Sequence, residues 1–252
     1  MVIWFLVFPP TLSFGGTPLD RLAGGSLVCF AAEIDDAYQD YITGSYEDAA
    51  DKAKNLPQSP QSLYLLGMCA MMLDDHQKAR DYFEDVINKY PGSAFKEKAL
   101  IKTADTFFLE DDFDRARPIY EKLKQGGCTQ MPLIYLRLAQ IAMKEGRWSQ
   151  KRAYMDELKN KFPQSAEARY LEILQKYEDY FTIQVGAFTD EGNAVSVKED
   201  LLGKGFSAYL LNERGAAGML CKVRVGKYSD RKAAKRTAEQ LMNEGYPARI
   251  IP

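Results

Sequence analysis

Gln184-Val-Gly-Ala-Phe188 and Arg224-Val-Gly-Lys-Tyr228 are near copies 40 residues apart, each ending a run in which apolar and polar residues alternate. Phe181, Ile183 and Val185 fall on one side of the first run, Thr182 and Gln184 on the other, which is the period of a half-buried strand. Leu220 to Val225 alternates in the same way. Each run is followed by an amphipathic stretch. Asn193 to Leu202 turns Ala194, Val197, Leu201 and Leu202 inward and stops at Gly203 and Gly205, and Arg231 to Asn243 stops at Gly245. Ser207 to Leu211 and Ala248 to Ile251 complete the strands, with Asn212 to Gly218 as a turn-rich connection.

The resulting order is βαββαβ, the split βαβ or ferredoxin-like arrangement, with both helices on one sheet face. If Val185, Val223 and Val225 face those helices, Cys221 does too, and Thr182, Gln184, Leu220, Lys222 and Arg224 point the other way. An amide and cationic donors along a shallow sheet suit hydroxyls, carbonyls and carboxylates. Phe188 and Tyr228 read as packed supports behind the glycines, and Lys227, Arg231, Lys232, Lys235 and Arg236 as a solvated basic face.

The paired motifs, their spacing and the strand order resemble the bacterial SPOR (sporulation-related repeat) domain over residues 179–252. That resemblance implies binding to peptidoglycan glycan strands, with preference for strands stripped of stem peptides as at division septa. It also implies glycan contacts at Gln184, at Ala187 three residues later, and at the third-strand basic residue Lys222, without a cofactor. Ala187 stands where some members have Ser, and Leu220 where some place an aromatic.

Upstream, the period becomes helical. A turn, a ring residue and then Ala recur at Gly44-Ser-Tyr46-Glu-Asp-Ala49, Asp75-His76-Gln-Lys-Ala79, Asp112-Phe113-Asp-Arg-Ala116 and Gly146-Arg-Trp148-Ser-Gln-Lys151, where Lys replaces Ala. The ring positions are 30, 37 and 35 residues apart, bracketing a helix-turn-helix repeat of about 34 residues. Leu56-Pro57, Tyr90-Pro91-Gly92-Ser93 and Phe162-Pro163-Gln164-Ser165 mark joints, since proline stops one helix and serine can cap the next. The rings, His76 and the run Gly67-Met-Cys-Ala-Met-Met72 read as packing rather than as cofactor sites. Asn88 to Phe108 resembles the tetratricopeptide proteins of the bacterial envelope, such as the periplasmic partner of the Tol system. This implies a repeat array over residues 33–178 whose groove takes an unidentified envelope protein or peptide.

The expected fold is thus multidomain, an all-α tetratricopeptide-like array followed by a small α+β module. Residues 1–32 read as an export signal, Arg21 preceding the apolar Leu22 to Ala32 with cleavage after Ala31 or Ala32. Export places the protein in the periplasm or envelope, and no segment reads as a transmembrane span of the mature chain. A net charge of −2 argues against nucleic acid as partner, although residues 180–252 carry 11 Lys+Arg against 8 Asp+Glu. With His76 as the one histidine, four scattered cysteines and no GxSxG, HExxH, GxGxxG or P-loop pattern, the sequence presents neither a metal site nor an enzyme. The rival reading is a protein scaffold whose βαββαβ end binds another protein.

Overall fold

The computed structural model describes residues 26–175, 178–215 and 218–252. Nine helices come first among the described residues: α1 (Ser26–Thr43), α2 (Tyr46–Asn55), α3 (Pro60–Met72), α4 (His76–Lys89), α5 (Phe95–Leu109), α6 (Phe113–Gly126), α7 (Met131–Glu145), α8 (Trp148–Lys161) and α9 (Ala166–Gln175). The chain forms two compact units that divide between Leu123 and Lys124, within α6.

The recurring motif has a common local geometry. Tyr46, His76, Phe113 and Trp148 each open the second helix of a pair. Two residues before each, Gly44, Asp74, Asp111 and Gly146 all adopt positive φ. Reversing the chain in so few residues requires that left-handed step, which glycine makes at little cost and aspartate tolerates. Asp75 and Asp112 then accept the backbone N–H groups of Lys78 and Arg115, satisfying donors at the helix start. Ala49, Ala79 and Ala116 are buried, as the spacing requires. The joints behave as expected: α2, α4 and α8 stop before Pro57, Pro91 and Pro163, while Ser59, Ser93 and Ser165 accept backbone N–H groups of the following segments.

In the first unit, α3 and α4 enclose Leu63, Tyr64, Met68, Met71, Ala79, Phe83 and Val86. A Cβ on Gly67 would lie 2.4 Å from the Phe83 ring, so only glycine permits this approach of α3 to α4. α1 runs without a break through positions 31 and 32, where signal cleavage is expected, and residues 1–25 of the signal assignment lie outside those described.

The second unit holds α7, α8 and α9 together with β1 (Phe181–Phe188), α10 (Glu191–Gly203), β2 (Ala208–Gly215), β3 (Gly218–Tyr228), α11 (Arg231–Asn243) and β4 (Arg249–Ile251). The strands form one antiparallel sheet in the order β2-β3-β1-β4. Ile183, Val185, Cys221, Val223 and Val225 pack against Ala194, Leu201, Ala238 and Leu241 of α10 and α11.

Three expectations need correction. Asn212 to Gly215 and Gly218 are strand rather than a turn-rich connection, because β2 and β3 stay paired out to Gly215 opposite Gly218. Leu202, 47% exposed, points outward, since Val197 and Leu201 already complete the buried stripe of α10. Phe181 is buried away from the sheet–helix core. A register shift between Phe181 and Ile183 takes it out of the alternation, and its ring packs 5.0 Å from that of Trp148.

Candidate functional site

The outer face of the sheet, turned away from α10 and α11, is assembled from the register. Gln184 of β1 lies opposite Arg224 of β3 and, on its other side, opposite Arg249 of β4; Arg224 lies opposite Tyr209 of β2. Directly opposed residues share a face. One rung across all four strands therefore carries a phenol, a guanidinium, an amide and a second guanidinium. The next rung holds Leu211, Lys222 and Ala187, and Leu220 follows opposite Glu213.

Ala187 reaches this face through a bulge. The β1–β3 pairing steps from Gln184↔Arg224 to Gly186↔Val223, so Val185 and Gly186 together oppose one residue. Without that extra residue Ala187 would face the helices. Behind the bulge, a Cβ on Gly186 would lie 2.5 Å from the Phe188 ring, and one on Gly226 would lie 2.3 Å from Tyr228. Both rings fold back over the glycine two residues earlier and pack on the sheet–helix core, which explains why the Gly-x-aromatic motif occurs twice.

Thr182 requires a correction. It was expected on the outward face as a ligand contact, and instead it is 1% exposed. Its hydroxyl shares a 2.9 Å hydrogen bond with the Tyr209 hydroxyl and reaches the Val225 carbonyl at 3.3 Å, so it supports Tyr209 from beneath. Gln184, Leu220, Lys222 and Arg224 are half-buried and Ala187 is exposed. Lys222 is paired with Glu213 across the strands. Arg224 makes no ion pair among the described residues, and its Nε is buried without a hydrogen-bond partner.

Tyr209 and Arg249 are the residues that the sequence reading missed. Alternation marks Tyr209, between the inward-packing Ala208 and Leu210, whereas Arg249 precedes the inward Ile250 on a strand of only three residues. Lys227 lies beside this edge, its ammonium 4.6 Å from the Tyr180 ring and 5.8 Å from that of Tyr209.

The start of β1 is held by the turn between α7 and α8. Trp148 stacks on Phe181 and donates from Nε1 to the Ser229 carbonyl at 2.9 Å, while Arg231 donates to the Lys144 carbonyl at 3.1 Å. Lys151, the residue that replaces Ala in the fourth motif, is 3% exposed and donates to Asp179 at 3.1 Å. The fourth copy thus departs from the pattern at the residue that reaches the segment leading into β1.

Among the described residues no group of three or more His, Cys, Asp or Glu side chains could hold a metal ion. No described helix is long and apolar enough to cross a membrane.

Paired helices followed by a sheet with one polar face describe a repeat scaffold carrying a binding module. Residues 177–252 match the SPOR domain model, and residues 61–93 and 134–165 match that of the tetratricopeptide repeat, so the chain carries a SPOR domain behind tetratricopeptide repeats. Among solved structures it is similar to the peptidoglycan-binding domain of the B. subtilis cell wall lytic enzyme CwlC, at 32% identity over 29% of this chain and 86% of that one, with a TM-score of 0.26. It is also similar to pilF of Pseudomonas aeruginosa, at 19% identity over 59% and 67% of the two chains and a TM-score of 0.45. MamA matches at 18% identity over 59% and 81%, with a TM-score of 0.45. No curated protein matches the chain in sequence.

Proposed function

We propose that this chain is a non-enzymatic protein of the bacterial periplasm that binds peptidoglycan glycan strands on the outer face of its SPOR sheet and recruits a protein partner through its repeats. The preferred strands are those stripped of stem peptides, as at division septa. The observation that carries this reading is the shared outer face of Gln184, Ala187, Lys222 and Arg224 within the segment that matches the SPOR domain. The Gln184 amide both donates and accepts, as sugar hydroxyls and acetamido groups require, and the cations add donors for anionic oxygens. The strands hold these groups in place before any ligand arrives, which lowers the ordering cost of binding. Stacked helical pairs offer an extended surface to a protein or peptide.

The test is cosedimentation of the full chain with purified sacculi, before and after an amidase removes the stem peptides. Pelleting should rise on the stripped wall and be lost in the Gln184→Ala/Lys222→Ala variant with an unchanged circular dichroism spectrum. Undiminished pelleting of that variant would move the site elsewhere, and no pelleting at all would favour the protein scaffold.

A further inference from the structure

We infer that the turn between α7 and α8 is a docking site for the SPOR domain of the same chain, so that the last helical pair and the sheet fold as one cooperative body. The inference is independent of what the sheet binds. The match to the SPOR domain starts at residue 177, whereas the compact unit that contains the sheet starts at Lys124 and takes in α7, α8 and α9.

Three features of the fourth motif share one cause. Tyr46 and Phe113 each pair with a ring five residues earlier, Tyr41 at 5.5 Å and Phe108 at 5.7 Å. Met143 holds that place before Trp148, and the indole pairs instead with Phe181 at the start of β1. The glycine differs as well. A Cβ on Gly44 would meet nothing within 4 Å, and aspartate fills the left-handed position in the second and third copies. A Cβ on Gly146 would lie 2.7 Å from the Phe181 ring and 3.4 Å from the Ser229 carbonyl, so here the approach of the SPOR domain itself requires glycine. Finally, Lys151 stands where the other copies bury alanine. A buried ammonium is costly unless a carboxylate meets it, and Asp179 does so while also pairing with Arg152.

These contacts reach three separate pieces of the domain. Asp179 lies ahead of β1, Phe181 opens it, and Ser229 and Arg231 flank the start of α11, where Arg231 donates back to the Lys144 carbonyl of α7. Domains joined by small polar interfaces move freely against each other. This joint differs in having an apolar centre, because Phe181 is 1% exposed yet lies outside the sheet–helix core. The burial of its ring therefore stabilises the union of turn and strand, and either part opens at the expense of the other.

Hydrogen–deuterium exchange of the full chain, read by mass spectrometry, tests the joint from both sides. Asp179→Asn and Arg231→Ala lie in or beside the SPOR domain, yet each should speed amide exchange in α7 and α8. Trp148→Ala, on the helical side, should speed exchange in β1 and at the start of α11. The expected change is about tenfold, the effect of one lost charge-assisted hydrogen bond on a local opening equilibrium. Exchange in α3 and α4 should stay as in wild type, which separates a broken joint from global unfolding. Should Trp148→Ala fail to fold, the two single-contact variants decide the matter. Acceleration confined to the side that carries the substitution would overturn the inference and make the helices and the SPOR domain independent neighbours.

Discussion

Gln184 and Ala187 lie three residues apart on β1 yet share the outer face of the sheet, because Val185 and Gly186 together oppose the single residue Val223 in the pairing. A regular strand would place them on opposite faces. The bulge therefore adds a small exposed position beside Lys222, leaving room for a ligand next to the Gln184 amide. It also turns Phe188 inward onto the core.

Both glycines under folded-back rings should resist substitution, but unequally. Gly226 has a φ of +67° whereas Gly186 is not left-handed, and a Cβ would collide with the following aromatic at either site. Gly226→Ala should thus destabilise by about 1–2 kcal/mol more than Gly186→Ala, the ordinary cost of a left-handed alanine. Urea unfolding followed by circular dichroism measures the difference, and equal effects would contradict it.

Thr182 and Tyr209 should be energetically coupled through their shared hydrogen bond. Thr182→Val keeps the shape and removes the hydroxyl, at a cost of about 1 kcal/mol. In a double-mutant cycle with Tyr209→Phe, the second substitution should cost less once the first is present. Strict additivity would show that the bond contributes nothing.

Trp148 should matter through its ring more than through its N–H. Trp148→Phe keeps an aromatic against Phe181 and loses the bond to the Ser229 carbonyl, for about 1 kcal/mol. Trp148→Ala uncovers Phe181 and should cost about 3 kcal/mol or more. Thermal melts of the two variants give the order, and equal losses would show that the contact acts through its hydrogen bond alone.

Burial among apolar neighbours pushes the Cys69 thiol up to about 12, so almost no thiolate exists at neutral pH. Maleimide should leave Cys69 unmodified in the native protein at pH 7.5 and label it in denaturant, as peptide mass spectrometry would read. Rapid native labelling would show that the α2–α3 packing opens.

Much of this architecture is legible in the sequence because it follows from local rules. Proline at the joints, a small residue where helices meet and alternation in β1 and β3 each act within a few residues. What escapes depends on partners distant in the chain. Thr182 alternates outward correctly, but its burial is set by Tyr209, 27 residues away. Asn212 to Gly218 has turn-like composition, and cross-strand pairing overrides it from Asn212 to Gly215. The bulge that exposes Ala187 exists only relative to β3, so a single strand read alone could not show it. Arg249 sits on a three-residue strand too short for a convincing period.

The central claim, that the outer face of the sheet takes the glycan, is tested most directly by titrating the isotope-labelled full chain with soluble stripped glycan and following its backbone amide resonances. Shifts should concentrate at Gln184, Ala187, Leu220, Lys222 and Arg224 while the resonances of Lys198 on α10 and Lys235 on α11 stay in place. Shifts confined to the helices, or to the repeat array, would contradict it.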